Sequence, residues 1–340
     1  MSFRYLGNKT RLVDWIVGEI AQVLPAGSTI ADPMCGTASV SIALARAGYS
    51  VTAADALRFP VIHARARLLM KQAPRFEAFG GYDMALKWMN AVEPIEGYFY
   101  QEFGSAGRPA NGRMPRLYFS DANAARIDGV RAGIQHLASS GVINELEHSL
   151  LLHHLILSTN KVANISGTYG YFLRKLARNA LQPLSFNPVQ FEQTPGNHRV
   201  FQGAIEEHAS KLSVDAVYLD PPYTKRQYAG NYHILETLAQ EDEPVAVGDG
   251  GLRPWKDQAS NFCYKRNAAM AFRTTLENLN TPHIFVSYSQ DGQLNEDQLL
   301  SIFNEYGKVK VHQQPYVRFR SNSQTKAGAV LERIYHIETF

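Results

Sequence analysis

An α/β fold, a sheet of short buried strands interrupted by a mainly helical insert, is predicted by three observations. A strand, a tight glycine turn, a helix and a second strand succeed one another between Thr29 and Asp55. A later apolar run, Ala216-Val217-Tyr218-Leu219, breaks at Asp220-Pro221-Pro222-Tyr223, where a buried strand opens at its carboxyl end. Between these regions the apolar residues recur at helical spacing rather than in alternation.

The elements follow in order. Leu12, Ile16, Val17, Ile20 and Leu24 share one helical face, and Pro25 and Gly27 end that helix. Thr29-Ile30-Ala31 is a strand leading into Asp32-Pro33-Met34-Cys35-Gly36-Thr37; Ala38 to Ala47 reads as a helix closed by Gly48. Tyr49 to Ala54 is the next strand and ends in Asp55. His63 to Lys71 reads helical, the Gly/Tyr/Pro-rich sequence up to Arg116 reads as irregular loops, and Asp121–Ser139 and Ile143–Asn160 read as two further helices. Residues 59–195 therefore form the insert, and residues 1–58 with 196–340 form the catalytic domain. A third strand falls at Val200-Phe201-Gln202-Gly203-Ala204, another at His283–Tyr288, and Val309–Phe319 with Ala329–Ile337 forms a hairpin around Ser321–Lys326. The stretch from Glu241 to Phe262 is long enough for a mobile lid or a substrate-facing loop.

Asp220-Pro221-Pro222-Tyr223 carries the chemistry. Two prolines cannot continue a ladder, so they stiffen the strand exit and hold a carboxylate and an aromatic ring at fixed separation. That pair suits a planar base bearing an exocyclic amine. Such a nitrogen is a weak nucleophile, and hydrogen bonds to Asp220 and to the Pro221 carbonyl would localise its lone pair and absorb positive charge as a methyl group arrives. Tyr223 would stack on the base, which has to be flipped out of a duplex to reach the pocket. The bland reading of the same four residues is a turn-forming Asp-Pro at a strand end.

The first loop supplies the second signal. An acid at the tip of the second strand, Asp55, is placed to bind a ribose diol, with Ala56 beside it. The loop holds Gly36 without the three-glycine pyrophosphate fingerprint, which argues against a dinucleotide and for a phosphate-free nucleoside such as S-adenosyl-L-methionine.

These motifs, in this order, resemble the D12 class of adenine-specific DNA methyltransferases, closest to the branch that serves type IIS restriction systems. Arg4-Tyr5-Leu6-Gly7-Asn8-Lys9 resembles the amino-terminal cofactor motif, Asp32 to Gly36 the cofactor loop, and Tyr223 with Arg226-Gln227-Tyr228, Asn231-Tyr232-His233 and Leu235-Glu236 the stretch through and beyond the catalytic motif. Tyr118-Phe119-Ser120, Asn123-Ala124, Ile127-Asp128 and Asn164-Ile165-Ser166-Gly167 fit the same branch. The resemblance implies a class I Rossmann-like sheet dependent on S-adenosylmethionine, target recognition in the insert, and methyl transfer to N6 of adenine in double-stranded DNA. It implies Asp220, Pro221, Pro222 and Tyr223 as catalytic, and Tyr5, Gly7, Asn8, Lys9, Asp32, Pro33, Met34, Cys35, Gly36, Thr37, Asp55, Ala56 and Gln202 as the cofactor shell, with Asp220 shared. The chain departs from the family at Met34 and Ala38, where Phe and Gly are usual, and near Gln202, where an acid is often found. An RNA adenine or DNA cytosine-N4 methyltransferase, and an inactive DNA-binding regulator, stand as alternatives.

Composition fits. With 45% hydrophobic and 19% charged residues the 340-residue chain is globular, and a net charge of +3 does not by itself identify a nucleic-acid binder. Local clusters do more: Lys225 and Arg226 follow the catalytic motif, Arg108, Arg113 and Arg116 share a Gly/Pro/Asn stretch, Arg174, Lys175 and Arg178 share one helical face, and Arg318 and Arg320 flank a polar loop. Lys225, Arg226, Tyr228, Arg113, Arg116 and Arg174 are the expected substrate contacts. Two cysteines, Cys35 and Cys263, make neither a disulfide framework nor a zinc site, and His153-His154 point in different directions from an apolar helix, so no metal is expected. Lacking a signal peptide, a long apolar span or a lipidation motif, the chain is expected to be soluble and cytoplasmic, with a cognate restriction endonuclease as a possible partner.

Overall fold

The computed structural model describes residues 5–112, 114–317 and 329–340. Arg113, Arg318, Arg320, the Ser321–Lys326 loop and Arg4 of the amino-terminal motif lie outside the described residues. The chain divides into two compact units. One, here the sheet unit, comprises Gly7–Ala64, Gln193–Tyr228 and Gln258–Phe340; the other, the helical unit, comprises Met1–Leu6, Arg65–Glu192 and Ala229–Asp257. The helical unit thus also takes in residues 229–257, which lie after the catalytic motif in sequence.

In the sheet unit the strands are β1 (Thr29–Asp32), β2 (Ser50–Asp55), β3 (Arg199–Gln202), β4 (Ala216–Leu219), β5 (His283–Ser289), β6 (Gly307–Val317) and β7 (Ala329–Thr339). They form one sheet in the order β3-β2-β1-β4-β5-β7-β6. The first five run parallel, with Ile30 beside Ala216 and Ala31 beside Val217, while β7 is antiparallel to both β5 and β6. The chain winds outward from β1 through β2 to β3, then returns to the other side of β1 as β4. The strand order therefore reverses between β1 and β4, where α/β sheets open a crevice at the carboxyl ends of their strands. All four residues of β4 are buried, as a central parallel strand covered on both faces must be. On one face Ala31, Val217, Leu219, Ile284 and Val286 pack with Ile205, Phe272, Leu276, Ile302 and Phe303 from α8 (Ile205–His208), α11 (Ala268–Asn278) and α12 (Glu296–Phe303). Burying each large aliphatic or aromatic side chain contributes about 1.5–3 kcal/mol. α1 (Val13–Ala21) packs on α2 (Ser39–Arg46), α3 (Arg58–Ala64) packs against β2, and α2 begins from Ala38, which holds a left-handed φ of 58°.

The helical unit contains α4 (Tyr82–Ala91), α5 (Tyr98–Phe103), α6 (Asp121–Ser139), α7 (Glu145–Val162) and α10 (His233–Gln240). α6 and α7 lie close to the expected ranges. Asn144 caps α7 through a reciprocal pair with Glu147, which also accepts from Phe76 N at 2.6 Å. The segment expected to be irregular up to Arg116 instead contains α4 and α5. α5 is six residues long, too short to persist alone, and its first turn is capped from α6: Asp128 accepts from Phe99 N at 2.9 Å and from Tyr100 N at 2.8 Å. A cap supplied 28 or 29 residues downstream leaves no local signal.

One further expectation is corrected here. Arg174, Lys175 and Arg178 share no helical face, because residues 163–180 are not helical. Buried Asn164 holds that segment open, donating from its side chain to Leu117 O and Leu173 O and accepting from Ala177 N. α9 (Tyr228–Asn231) stops before Tyr232, and both Tyr232 and His233 are fully buried.

Candidate active site

The site is built where the sheet order reverses. Ala31 and Asp32 end β1, and Asp220 to Tyr223 leave β4 beside it. Lys9, from the segment before α1, lies over this exit: its Nζ is 3.3 Å from Asp220 Oδ1, 3.2 Å from Glu332 Oε2 on β7, and 5.4 Å from the centre of the Tyr223 ring. Lys9 is 4% exposed and Glu332 2%. Burial works to lower the Lys9 pKa, yet the charges of Asp220 and then Glu332 prevail and hold it well above the usual lysine value. For Asp220, burial dominates and pushes the pKa up to about 6 against the pull of Lys9, with Glu332 adding in the same upward direction. Tyr223 packs edge-on against Tyr288 at 5.9 Å, and its carbonyl accepts from Gln293 N at 3.0 Å. The ring is thus held by neighbours on two elements while staying partly accessible.

The β1 loop is latched to β2. Gly36 N donates to Asp55 Oδ2 at 3.0 Å, Leu57 N donates to Asp55 Oδ1 at 3.0 Å, and Cys35 N donates to Ala54 O at 2.9 Å. Gly36 and Ala38 both have positive φ, so the loop makes two left-handed turns before α2. Asp32 is 1% exposed. Ser41 donates to its Oδ2 at 2.5 Å, while Oδ1 is buried with no hydrogen-bond partner among the described residues. Burial raises the Asp32 pKa to about 7, the Ser41 hydrogen bond opposing and the charges of Asp220 and Asp55 reinforcing the rise. A buried carboxylate oxygen without a protein donor is what an ammonium-bearing ligand takes, so this cradle fits an amino-acid-bearing nucleoside such as S-adenosylmethionine. Pro33 and Thr37 are buried in the loop, Met34 half-buried, and Ala56 exposed beside Asp55. Gln202 lies level with Asp55 at the end of β3 and donates to Ala56 O at 3.3 Å.

The remaining expected residues are distributed as follows. Gly7 has a φ of +70°, which favours glycine, and a Cβ there would lie 2.9 Å from the Tyr228 hydroxyl. Asn8 folds back on its own turn, accepting from Thr10 N at 2.8 Å. Tyr5 belongs to the helical unit, where it stacks on Tyr232 at 4.9 Å. Lys225 and Arg226 are exposed on a loop pinned by a reciprocal Gln227–Ser260 pair at 3.0 and 2.9 Å. Arg174 is exposed in the helical unit. Arg116 corrects the expectation of a phosphate contact: it is 1% exposed, paired with Glu102, and donates to Gly248 O at 3.0 Å. With Tyr118, which donates to Gly250 O at 3.0 Å, and Arg253, which donates to Thr237 Oγ1 of α10 at 3.1 Å, it ties the 241–257 stretch into the helical unit, so that stretch is anchored at three points. His154 shares a hydrogen bond with the Tyr82 hydroxyl at 2.7 Å, and among the described residues there is no group of three or more potential metal ligands. No helix among them is long and apolar enough to cross a membrane.

Glu332 went unnoticed in the sequence. Its signal was an acid two and four residues before Ile334 and His336, on the same face of a strand buried continuously from Ile334 to Ile337.

The antiparallel β7 between β5 and β6, together with a β1 loop lacking the pyrophosphate glycines, separates this sheet from a dinucleotide-binding one and agrees with the Rossmann-like methyltransferase sheet expected from the sequence. The family model for D12 class N6 adenine-specific DNA methyltransferases matches residues 5–302. Modification methylase LlaI of Lactococcus lactis subsp. lactis is 33% identical over 336 residues, covering 96% of this chain and 53% of its own length. Type II methyltransferase M.FokI of Planomicrobium okeanokoites is 31% identical, covering 98% and 52%. Type II methyltransferase M.NlaIII of Neisseria lactamica is 31% identical and covered to 98% in both chains. The chain thus spans about half the length of the first two relatives and nearly all of the third. It belongs to the D12 class of N6 adenine-specific DNA methyltransferases.

Proposed function

We propose that the chain transfers a methyl group from S-adenosylmethionine to N6 of adenine at a specific site in double-stranded DNA, as the modification activity of a restriction-modification or related defence system. The observation that carries this reading is the Asp220 carboxylate fixed at the exit of β4, one oxygen engaged by Lys9 and the Tyr223 ring alongside. With Lys9 on Oδ1, Asp220 has its other oxygen for the target amine, and Pro221, two residues before Tyr223, has no N–H to compete for it. Tyr223, braced by Tyr288, is the platform for a base flipped out of the duplex, and stacking offsets part of the cost of unstacking.

Asp32 to Thr37, Asp55 with Ala56, and Gln202 would hold the cofactor. Bound S-adenosylmethionine supplies an electrophilic methyl group on sulfonium. Asp220 accepts a hydrogen bond from the amine, raises its electron density and stabilises the positive charge that grows on nitrogen; the proton then leaves to Asp220 or water. Lys225, Arg226 and Arg174 are exposed cations suited to phosphates, and the helical unit is the part proposed to read sequence. DNA as substrate implies a cytoplasmic location, and a cognate endonuclease is the implied partner.

The test is incubation of purified protein with unmethylated duplex DNA and labelled S-adenosylmethionine, followed by digestion to nucleosides and mass spectrometry. N6-methyldeoxyadenosine is the expected product. N4-methyldeoxycytidine, label in RNA alone, or cofactor-free protein that never takes up label overturns the assignment.

A further inference from the structure

We propose that Glu332 is a positioning residue of the methyl-transfer site, holding Lys9 between its own carboxylate and that of Asp220 so that Asp220 stays a competent acceptor for the target amine. The inference rests on Asp220 being the acceptor described above. It concerns a residue beyond position 302, where the family match ends.

Three observations converge on it. First, Glu332 stands on an interior strand: β7 pairs Glu332 with Ser289 of β5 on one side and with Gln314 of β6 on the other, so its backbone is fixed by two ladders. Second, the carboxylate is 2% exposed, and a buried acid is costly unless a charged partner meets it. Third, that partner is the same Lys9 Nζ that touches Asp220, at 3.2 Å from Glu332 and 3.3 Å from Asp220.

The sharing of one ammonium by two carboxylates gives the arrangement its meaning. An ammonium left to Asp220 alone would draw electron density away from the amine that Asp220 has to polarise, and a second carboxylate on Lys9 weakens that pull beside a nitrogen becoming cationic. Glu332 also draws Lys9 from the far side, so Lys9 is shared and Asp220 stays a competent acceptor. Because Lys9 lies over the Tyr223 ring, its position bears on the stacking platform as well.

The groups acting on Asp220 and Lys9 are Glu332 from β7, Asp32 from β1, and Tyr218 and Tyr223 from β4 and its exit. Of these, Glu332 raises the Asp220 pKa, so neutralising it has a defined sign. Glu332→Gln keeps the size and an acceptor for Lys9 but removes the charge. Measured on unmethylated plasmid DNA with saturating S-adenosylmethionine, it should lower kcat at least tenfold, move the acid limb of the kcat profile to lower pH, and leave the calorimetric Kd for S-adenosylhomocysteine within twofold of wild type. Glu332→Asp, which keeps the charge but is one methylene shorter, should lose three- to tenfold in kcat, less than Glu332→Gln, and leave the acid limb in place. A folded Glu332→Gln with wild-type kcat and acid limb overturns the proposal, as does a loss confined to cofactor affinity. Should Glu332→Gln be too unstable to assay, Glu332→Asp decides: a three- to tenfold fall in kcat with an unmoved acid limb is expected, and wild-type turnover overturns the inference. Wild-type protein run alongside separates the two levels, because failure of the wild type to methylate DNA counts against the proposed function and not against Glu332.

Discussion

Lys9 and Asp220, at opposite ends of the family's motif order, meet at 3.3 Å inside the sheet unit. The amino-terminal lysine is therefore a direct neighbour of the carboxylate proposed as catalytic.

Removing that carboxylate tests the central assignment. Asp220→Ala should reduce methyl transfer by about 10²–10³-fold or more, the usual cost of deleting a transition-state hydrogen-bond partner, with cofactor binding nearly intact. Labelled methyl transfer and calorimetric titration with S-adenosylhomocysteine give the two readings; retained turnover would remove Asp220 from its role.

Activity should fall in acid. Asp220 accepts from the amine only when ionised, and its pKa is pushed up to about 6, so kcat should drop as pH falls through that value and level off above it. A kcat profile from pH 5 to 9 checks this, and a flat profile down to pH 5 contradicts it.

Asp32 should make the ligand-free protein less stable as pH rises. Its folded pKa of about 7 exceeds the unfolded value, so its contribution is fully present below the unfolded pKa and is lost as pH rises through 7. His154, His233 and His336 have depressed pKa values and act in the opposite sense, gaining stability as pH rises toward neutrality. The difference between wild type and Asp32→Asn cancels them. In urea unfolding, wild type should lose about 1 kcal/mol relative to Asp32→Asn between pH 6 and pH 8.

Gly7→Ala should destabilise by about 1–3 kcal/mol, because φ is +70° and the new methyl group would press on the Tyr228 hydroxyl. Adding Tyr228→Phe should recover the steric part of the loss and leave the backbone part. Thermal melts of the single and double variants separate the two contributions.

Arg116 and Lys225 should behave differently although both are basic. Arg116→Ala breaks a buried pair with Glu102 and should cost about 3–5 kcal/mol of stability, with faster amide exchange across 241–257. Lys225→Ala, at an exposed position, should leave the melting temperature within about a degree and lower the salt slope of DNA binding by roughly one. A shallower salt slope for a folded Arg116 variant would restore it to the phosphate contacts.

Much of the fold and of the candidate site was legible because its signals are local. β4 matches the apolar run before Asp220 residue for residue, and the loop from Asp32 and the acid at Asp55 arrive together at the latch between β1 and β2. α5 was not legible, since its cap comes from Asp128, and neither was the shape of the 163–180 segment, which Asn164 holds through backbone groups on both sides.

By itself the sequence determined the strand exits, the glycine turn, the order of motifs and hence the family, since each depends on backbone conformations set by a few adjacent residues. Tertiary structure alone decided the fate of the charges: Arg116 spent on Glu102, Lys9 shared between Asp220 and Glu332, Asp32 held with a raised pKa. A charged side chain has the same chemistry in any sequence context, but its solvation and its partners depend on which distant segments fold beside it, and these set its energy.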